Sequence, residues 1–174
     1  MQEWVFTNNE DDTVRYTLGK LGKNNLICIG INPSRATPDK LDNTVTRVSR
    51  IAEIYGYDGW LMLNVYPQRD TYPTNIHLKK EKSIIEANKQ EITKVLSQHN
   101  FNDVWAAWGT EIGRRPFLYE CLKELHKCFD ESFNWLHYGN LTKFGHPQHP
   151  SRMAYSEKLD TFDIIKYLNT KKWR

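Results

Sequence analysis

Four short, continuously apolar runs alternate along the chain with segments in which apolar residues recur every three or four positions. The runs cover residues 26–31, 60–65, 104–108 and 133–138. Such a run is typical of a strand buried on both faces, whereas the wider spacing is typical of a helix with one buried face. Strands that alternate with helices favour a parallel sheet with right-handed crossovers. We therefore predict an α/β fold, a three-layer α/β/α sandwich around a central four-stranded parallel sheet.

The helical spacing predicts four helices. The first follows the cap candidates at residues 42–44 and can be closed by Gly56, and the third contains Pro116, which must bend it or mark its true start. The second helix is expected at residues 78–98, the third at about 110–127 and the fourth at about 156–168. The pattern thus places a helix after each apolar run.

The N-terminal part of the chain has a different pattern. Residues 3–7 and 14–18 are short strand-like pieces on either side of the polar residues 8–12, which predicts a hairpin or a loose flap. With 174 residues and no repeat or linker, the chain is long enough for one domain and too short for two ordinary ones. We predict a single domain over residues 1–174, with the hairpin or flap in residues 1–20.

Composition excludes some classes of protein. The formal net charge of +3 permits a nucleic-acid partner without requiring one. The three cysteines have no metal-binding spacing and are expected to be reduced thiols. No apolar run reaches transmembrane length, and the first four residues lack the layout of a signal peptide. We expect a cytoplasmic protein without a membrane partner.

Polar or turn-forming residues lie at or just beyond the end of each of the four apolar runs. Residues 32–34 follow the first run, Asn64 lies in the second, residues 109–110 follow the third, and residues 145–153 follow the fourth. Because ligands of parallel α/β sheets bind beyond the carboxyl ends of the strands, we expect these residues to line one crevice.

Three side chains in these loops suggest chemistry. The amide of Asn64 can pair in a bidentate way with the edge of a nucleobase, although asparagine at a strand end also closes turns. His149 could donate a hydrogen bond to a developing oxyanion, although a histidine before proline is often structural. Asn32 can orient a water molecule or bind a carbonyl group.

Prolines hold both His146 and His149 in an extended conformation on a stiff loop. Their spacing suggests a metal site as an alternative, but no third ligand with suitable spacing accompanies them. We expect neither a metal nor a cofactor.

The ordered set of motifs resembles the uracil-DNA glycosylase superfamily, over about residues 26 to 168. Residues 30–34, Gly-Ile-Asn-Pro-Ser, are similar to its water-activating motif and closest to that of the mismatch-specific branch. Residues 61–69 are similar to the stretch whose asparagine reads the uracil edge. Residues 107–109 and 149–153 are similar to the family's third-strand and C-terminal motifs. The chain also looks like a bacterial family of small uncharacterised proteins that share these motifs.

The resemblance implies a role for each matching residue. Asn32 would hold the attacking water, Asn64 would read a flipped base, and His149 would stabilise the departing base as an anion. Ser34 and Ser151 would contact phosphates. Met153 would be the apolar wedge that fills the gap left in the base stack by the flipped base. The remaining candidates for ligand binding are Ile31, Pro33, Tyr66, His146 and Arg152.

The chain also departs from the family pattern. The most active branch has an aspartate where Asn32 stands. An amide cannot act as a general base, which typically raises the reaction rate by roughly 10²- to 10⁴-fold. Residues 35–49 contain no aromatic residue to stack on a base, so an aromatic residue from elsewhere, such as Tyr66 or Phe144, would have to do so. Ser34 replaces the tyrosine that excludes thymine, and Arg152 replaces a proline of the wedge loop.

Three functions remain open. The first is a pseudo-glycosylase with weak or absent base excision that binds DNA, or binds a DNA-mimic protein that inhibits true glycosylases. The second is an active DNA N-glycosylase of the mismatch-specific type, a hydrolase that removes uracil or a modified base. The third is a hydrolase of free nucleosides or nucleotides. The missing stacking aromatic and the missing general base both favour the first function, the pseudo-glycosylase.

Overall fold

The computed structural model describes residues 2–170, so both ends of the predicted domain, Met1 and residues 171–174, lie outside the described residues. The strands are β1 (Glu3–Asn8), β2 (Arg15–Leu21), β3 (Asn25–Gly30), β4 (Gly59–Asn64), β5 (Asp103–Ala106), β6 (Asn134–Tyr138) and β7 (Leu159–Thr161). The helices are α1 (Asn43–Ile54), α2 (Lys82–Gln98), α3 (Pro116–His126) and α4 (Ile164–Thr170). Within the described residues, no helix combines the length and the apolar character needed to cross a membrane.

The strands form one mixed sheet in the order β1-β2-β4-β3-β5-β6-β7. Strand β3 pairs in parallel with β4 and β5, and β5 pairs in parallel with β6. Strands β1 and β2 form an antiparallel hairpin whose second strand joins β4, and β7 pairs antiparallel with β6. The predicted α/β class is confirmed. The sheet has seven strands rather than four because the N-terminal hairpin and β7 extend its two sides.

Both faces of the sheet are buried under helices. In β3, Leu26 and Cys28 belong to one apolar cluster and Ile27 and Ile29 to another, as expected when successive side chains alternate between faces. Helix α1 packs on the first cluster, whereas α2, α3 and α4 pack on the second. The continuous apolar runs are therefore strands with two buried faces.

The helix boundaries differ from the predicted ones where the chain makes contacts that periodicity does not show. Asp42 is the N-cap of α1, as the cap candidates suggested. Helix α3 begins at Pro116, which suits a first-turn position, after a separate 3₁₀ turn at Gly109–Gly113. The predicted last helix is divided, since Leu159–Thr161 pairs with β6 and the helix starts only at Ile164.

Candidate functional site

A cavity of about 650 Å³ lies where β3 and β4 end, and it also contacts Trp108 and Gly109 just beyond β5. Most of the predicted site residues line it: Ile31, Asn32, Pro33, Ser34, Asn64, His149, Ser151 and Arg152. The loops that follow different strands therefore meet in one hollow. This is the position expected for a ligand site in a parallel sheet.

The side chain of Asn32 is held in one orientation by three carbonyl groups. Its Nδ2 donates to the backbone oxygens of Pro33, Gln68 and Asp70 at 3.0 to 3.3 Å. Because an amide nitrogen can only donate, these contacts assign the nitrogen to the loop. The Oδ1 atom is then left to accept a hydrogen bond from a water molecule or a ligand.

Asn64 carries an unsatisfied polar group in the wall of the cavity. It is 2% exposed, and its Nδ2 has no hydrogen-bond partner within the described part of the chain. Its backbone oxygen accepts from Nδ2 of Asn88, a buried residue of α2. The Oδ1 atom of Asn64 lies 3.0 Å from where a Cβ on Gly30 would be, so glycine in β3 leaves room for this amide. The amide of Asn64 thus lines the cavity with a donor that no described residue satisfies.

His149 is held with its Nε2 as the protonated nitrogen. Its Nδ1 accepts from the backbone N–H of Ser151 at 3.3 Å and lies 2.7 Å from Ser151 Oγ. Burial, and then the charge of Arg152, lower the pKa of His149, which favours the neutral ring. A neutral imidazole that accepts at Nδ1 carries its proton on Nε2, so the ring can donate to a ligand.

Gly109 fixes the approach of His149 to the end of β5. Its backbone has a φ of +64°, and a Cβ at this position would lie 3.2 Å from Cβ of His149. This conformation and this contact both favour glycine.

Three predicted site residues do not line the cavity. Tyr66 is fully buried on the other side of the sheet, where its hydroxyl lies 2.8 Å from Nδ1 of His77. His146 lines a separate cavity of about 1100 Å³, and its Nδ1 lies 2.7 Å from the Tyr167 hydroxyl. Met153 is 9% exposed and packs in the cluster beneath α1. The two histidines of the stiff loop therefore face different cavities.

The structure does not bring either proposed stacking residue to the cavity. Phe144 is 63% exposed and lines the separate, larger cavity together with His146. Among residues 2–170, Trp108 is the only Phe, Tyr or Trp in the lining of the smaller cavity, and it is fully buried. A base in this cavity would therefore be recognised by polar contacts more than by stacking.

Three carboxylates that were not predicted as site residues also line the cavity, and each already accepts hydrogen bonds from other residues. Asp42 accepts from the N–H of Val45 as the N-cap of α1. Asp70 accepts from the N–H of Tyr72 and the amide of Asn75. Glu111 accepts two hydrogen bonds from the guanidinium of Arg114.

Sequence reasoning also missed Arg15, a buried cation in the cavity wall. It is 1% exposed, and its Nη1 donates to the Ala36 carbonyl at 3.1 Å. The same carbonyl accepts from Nη2 of Arg69, which is paired with Asp12. A single charged residue at the start of a strand gives no signal that it will be buried beside loops far along the chain.

Comparisons with known proteins give a family without an assigned function. No curated protein and no solved structure matches the chain. A family model described as a protein of unknown function (DUF1643) matches residues 15–151, from Arg15 of β2 to Ser151 of the cavity wall. That match covers most of the chain and its candidate site. The chain therefore belongs to the DUF1643 family of proteins of unknown function.

Proposed function

We propose that the cavity binds a nucleobase, and that the protein is a uracil-DNA glycosylase-like binding module with weak or absent base excision. The observation that carries the proposal is the buried, unpartnered Nδ2 of Asn64. A buried donor without a partner costs free energy, about 1 to 3 kcal/mol, unless a ligand satisfies it. A carbonyl oxygen on the edge of a base is a suitable acceptor.

The other fixed groups complement a pyrimidine edge. The amide of Asn64 can donate to a base carbonyl and accept from the neighbouring ring N–H. His149 can donate from Nε2 to a second carbonyl, since its Nδ1 is occupied by Ser151. Asn32 can accept from a water molecule beside the base, because its nitrogen is bound to the loop.

The lack of an available general base supports weak or absent base excision. Excision by water needs an acceptor for the proton, and the amide of Asn32 cannot take it. Each carboxylate of the lining already accepts hydrogen bonds from a cap, a turn or an arginine. Arranged in this way, the cavity is better suited to hold a base than to activate water.

The resemblance in fold is part of the proposal. Four neighbouring strands, β4, β3, β5 and β6, run parallel, with helices on both faces of the sheet. The motifs that resemble the glycosylases lie at the carboxyl ends of these strands, as in other ligand-binding α/β folds. This arrangement supports a glycosylase-like core to which the N-terminal hairpin and β7 are added.

The position of Met153 favours a second candidate, a protein that acts on free nucleosides or nucleotides. A wedge that fills a base stack must be exposed before DNA binds, and Met153 packs instead in the core. Arg152 and Lys143 are exposed on the rim and could still contact phosphates of DNA. Binding experiments therefore have to distinguish a base held in DNA from a free nucleoside or nucleotide.

The test measures binding and excision with the same panel of bases. Thermal unfolding is followed with uracil, uridine and oligonucleotides that carry uracil, a mismatch or a modified base, and cleavage is followed on gels. We expect a base-bearing ligand to raise the melting temperature of the wild type, less or no rise with Asn64→Leu, and little or no cleavage. The exposed variant Asn102→Leu serves as the matched control and should respond like the wild type.

Two outcomes would contradict the proposal. If no base-bearing ligand stabilises the folded wild type, the cavity is not a nucleobase site. If the protein cleaves one of the oligonucleotides as fast as a known glycosylase does, the binding-module part is wrong and the active alternative is correct.

A further inference from the structure

The cavity wall contains a cation, Arg15, that forms no ion pair with a carboxylate of the described residues, although Asp42 and Asp12 attract it from farther away. Arg15 has no carboxylate within ion-pair distance among residues 2–170, and its Nε has no hydrogen-bond partner there. Burial, and then the charge of Arg69, lower the pKa of Arg15 to about 10. The side chain therefore remains cationic at neutral pH, inside a cavity that is open to a ligand.

A structural role does not account for this cation. Within residues 2–170, the guanidinium donates one hydrogen bond, to the Ala36 carbonyl, which also accepts from Arg69. Arg69 also donates to the Ser34 carbonyl and pairs with Asp12, so it holds the loop without Arg15. A buried charge without a partner is costly, and proteins normally pair such groups or use them to bind ligands.

We propose that Arg15 binds an anionic group, a phosphate or a carboxylate, of a small ligand that enters the cavity. For the rest of the ligand the inference rests on the proposed function, which places a nucleobase against Asn64. The cavity volume of about 650 Å³ lies within the range of small-ligand pockets. An arginine can bind either anion through two parallel hydrogen bonds. The ligand class is thus a nucleotide or a carboxylated base.

Substitution of Asp42 changes the charge of this site without altering Arg15. Asp42 lines the cavity and attracts the Arg15 guanidinium at a distance longer than an ion pair. Asparagine caps helices about as well as aspartate does, so Asp42→Asn should keep α1 intact while it removes a negative charge. An anion should then bind more tightly.

The experiment compares charged and uncharged forms of the same ligand. Isothermal titration is performed with uridine, uridine 5′-monophosphate, orotate and inorganic phosphate on the wild type, Arg15→Met, Arg15→Lys and Asp42→Asn. We expect the preferred anionic ligand to bind the wild type at least about tenfold more tightly than uridine. Arg15→Met should remove this preference, Arg15→Lys should keep part of it, and Asp42→Asn should increase it. Comparison of orotate with the monophosphate distinguishes a carboxylate from a phosphate.

Each outcome decides the inference. Equal affinity of the wild type for uridine and both anionic ligands, or an unchanged preference in Arg15→Met, would overturn it and leave the nucleobase proposal intact. Binding of inorganic phosphate that depends on Arg15, without any binding of uridine or of base-dependent ligands, would support the anion site and overturn the nucleobase proposal. If Arg15→Met does not fold, the wild-type preference and its increase in Asp42→Asn still decide the result.

Discussion

Two buried asparagines in neighbouring strands show how different the same residue can be. Asn25 is 4% exposed, and its side chain bonds to both backbone groups of Gly22 and to the Asn100 carbonyl. Asn64 is 2% exposed, and its Nδ2 has no partner in the described chain. The first amide closes a turn and stabilises the fold. The second lines a cavity, and its unpaired donor is expected to lower stability.

We predict that Asn64→Leu leaves the protein as stable as the wild type or makes it more stable. The change removes an unpaired buried donor and keeps the number and branching of the side-chain heavy atoms, and the larger leucine can extend into the cavity, so the desolvation cost disappears. Chemical unfolding followed by circular dichroism measures the difference in the free energy of unfolding.

Asn25→Leu is the matched comparison, since it removes satisfied hydrogen bonds and leaves backbone partners unpaired. It should destabilise the protein by about 1 to 3 kcal/mol. Equal losses of stability in the two variants would show that Asn64 is a structural residue.

At the scale of elements, the segment from His149 to Met153 is fixed at both ends. His149 packs against Gly109, just beyond β5, and a Cβ on Gly109 would lie 3.2 Å from that of His149. Met153 lies in the cluster under α1, and its carbonyl accepts from Nη1 of Arg47 at 2.8 Å. The segment therefore holds the imidazole rigidly over the cavity, and its methionine is an anchor.

Met153→Ala should lower the free energy of unfolding by about 2 to 5 kcal/mol, as expected for truncation of a buried side chain. Leu78, which is 83% exposed, offers a control, and its change to alanine should alter stability by less than about 0.5 kcal/mol. Urea unfolding curves measure both. A Met153→Ala protein as stable as the Leu78→Ala protein would show that the methionine is free to act as a wedge.

At the scale of the whole molecule, burial of histidines couples folding to protons. Burial lowers the pKa of His126, and burial together with Arg152 lowers that of His149. In the unfolded chain these rings titrate near pH 6.5. Below that pH the unfolded state binds more protons than the folded state, so the stabilising contribution is present above about pH 6.5 and is lost as the pH falls.

We therefore predict that the free energy of unfolding decreases between about pH 7.5 and 5.5. One proton taken up on unfolding corresponds to a slope of at most about 1.4 kcal/mol per pH unit. Urea unfolding at a series of pH values measures the slope, and His149→Gln should reduce it. The neighbouring change Gln148→Asn, which removes no titrating group, should leave it as in the wild type, and a stability that rises on acidification would contradict the prediction.

The parts of the structure that could be predicted from the sequence are those that local interactions determine. Alternation of apolar runs and helical spacing predicted the strands, because burial of both faces of a strand leaves a direct pattern in the sequence. The motif residues Asn32, Asn64 and His149 were expected in one crevice and do line one cavity. The role of each in binding or catalysis stays a prediction.

The position of Tyr66 shows where such reasoning ends. Two residues apart in a strand, Asn64 and Tyr66 would share a face. The strand ends at Asn64, however, and residues 65–66 form a bend, so the Tyr66 ring packs on the opposite side of the sheet. A change of direction at the last strand residue depends on tertiary contacts that the local pattern does not contain.

By itself, the sequence determined the α/β class, the four buried strands and the loops that meet at the strand ends, but it missed β7 and the start of the last helix. Only the tertiary structure decided that Arg15 is a buried cation of the same cavity and that Met153 is a core anchor. The antiparallel pairing of β2 with β4 brings Arg15 to the loop that follows β3. Local periodicity records which face of an element is apolar, whereas the burial of a single charge depends on which distant segment the fold places over it.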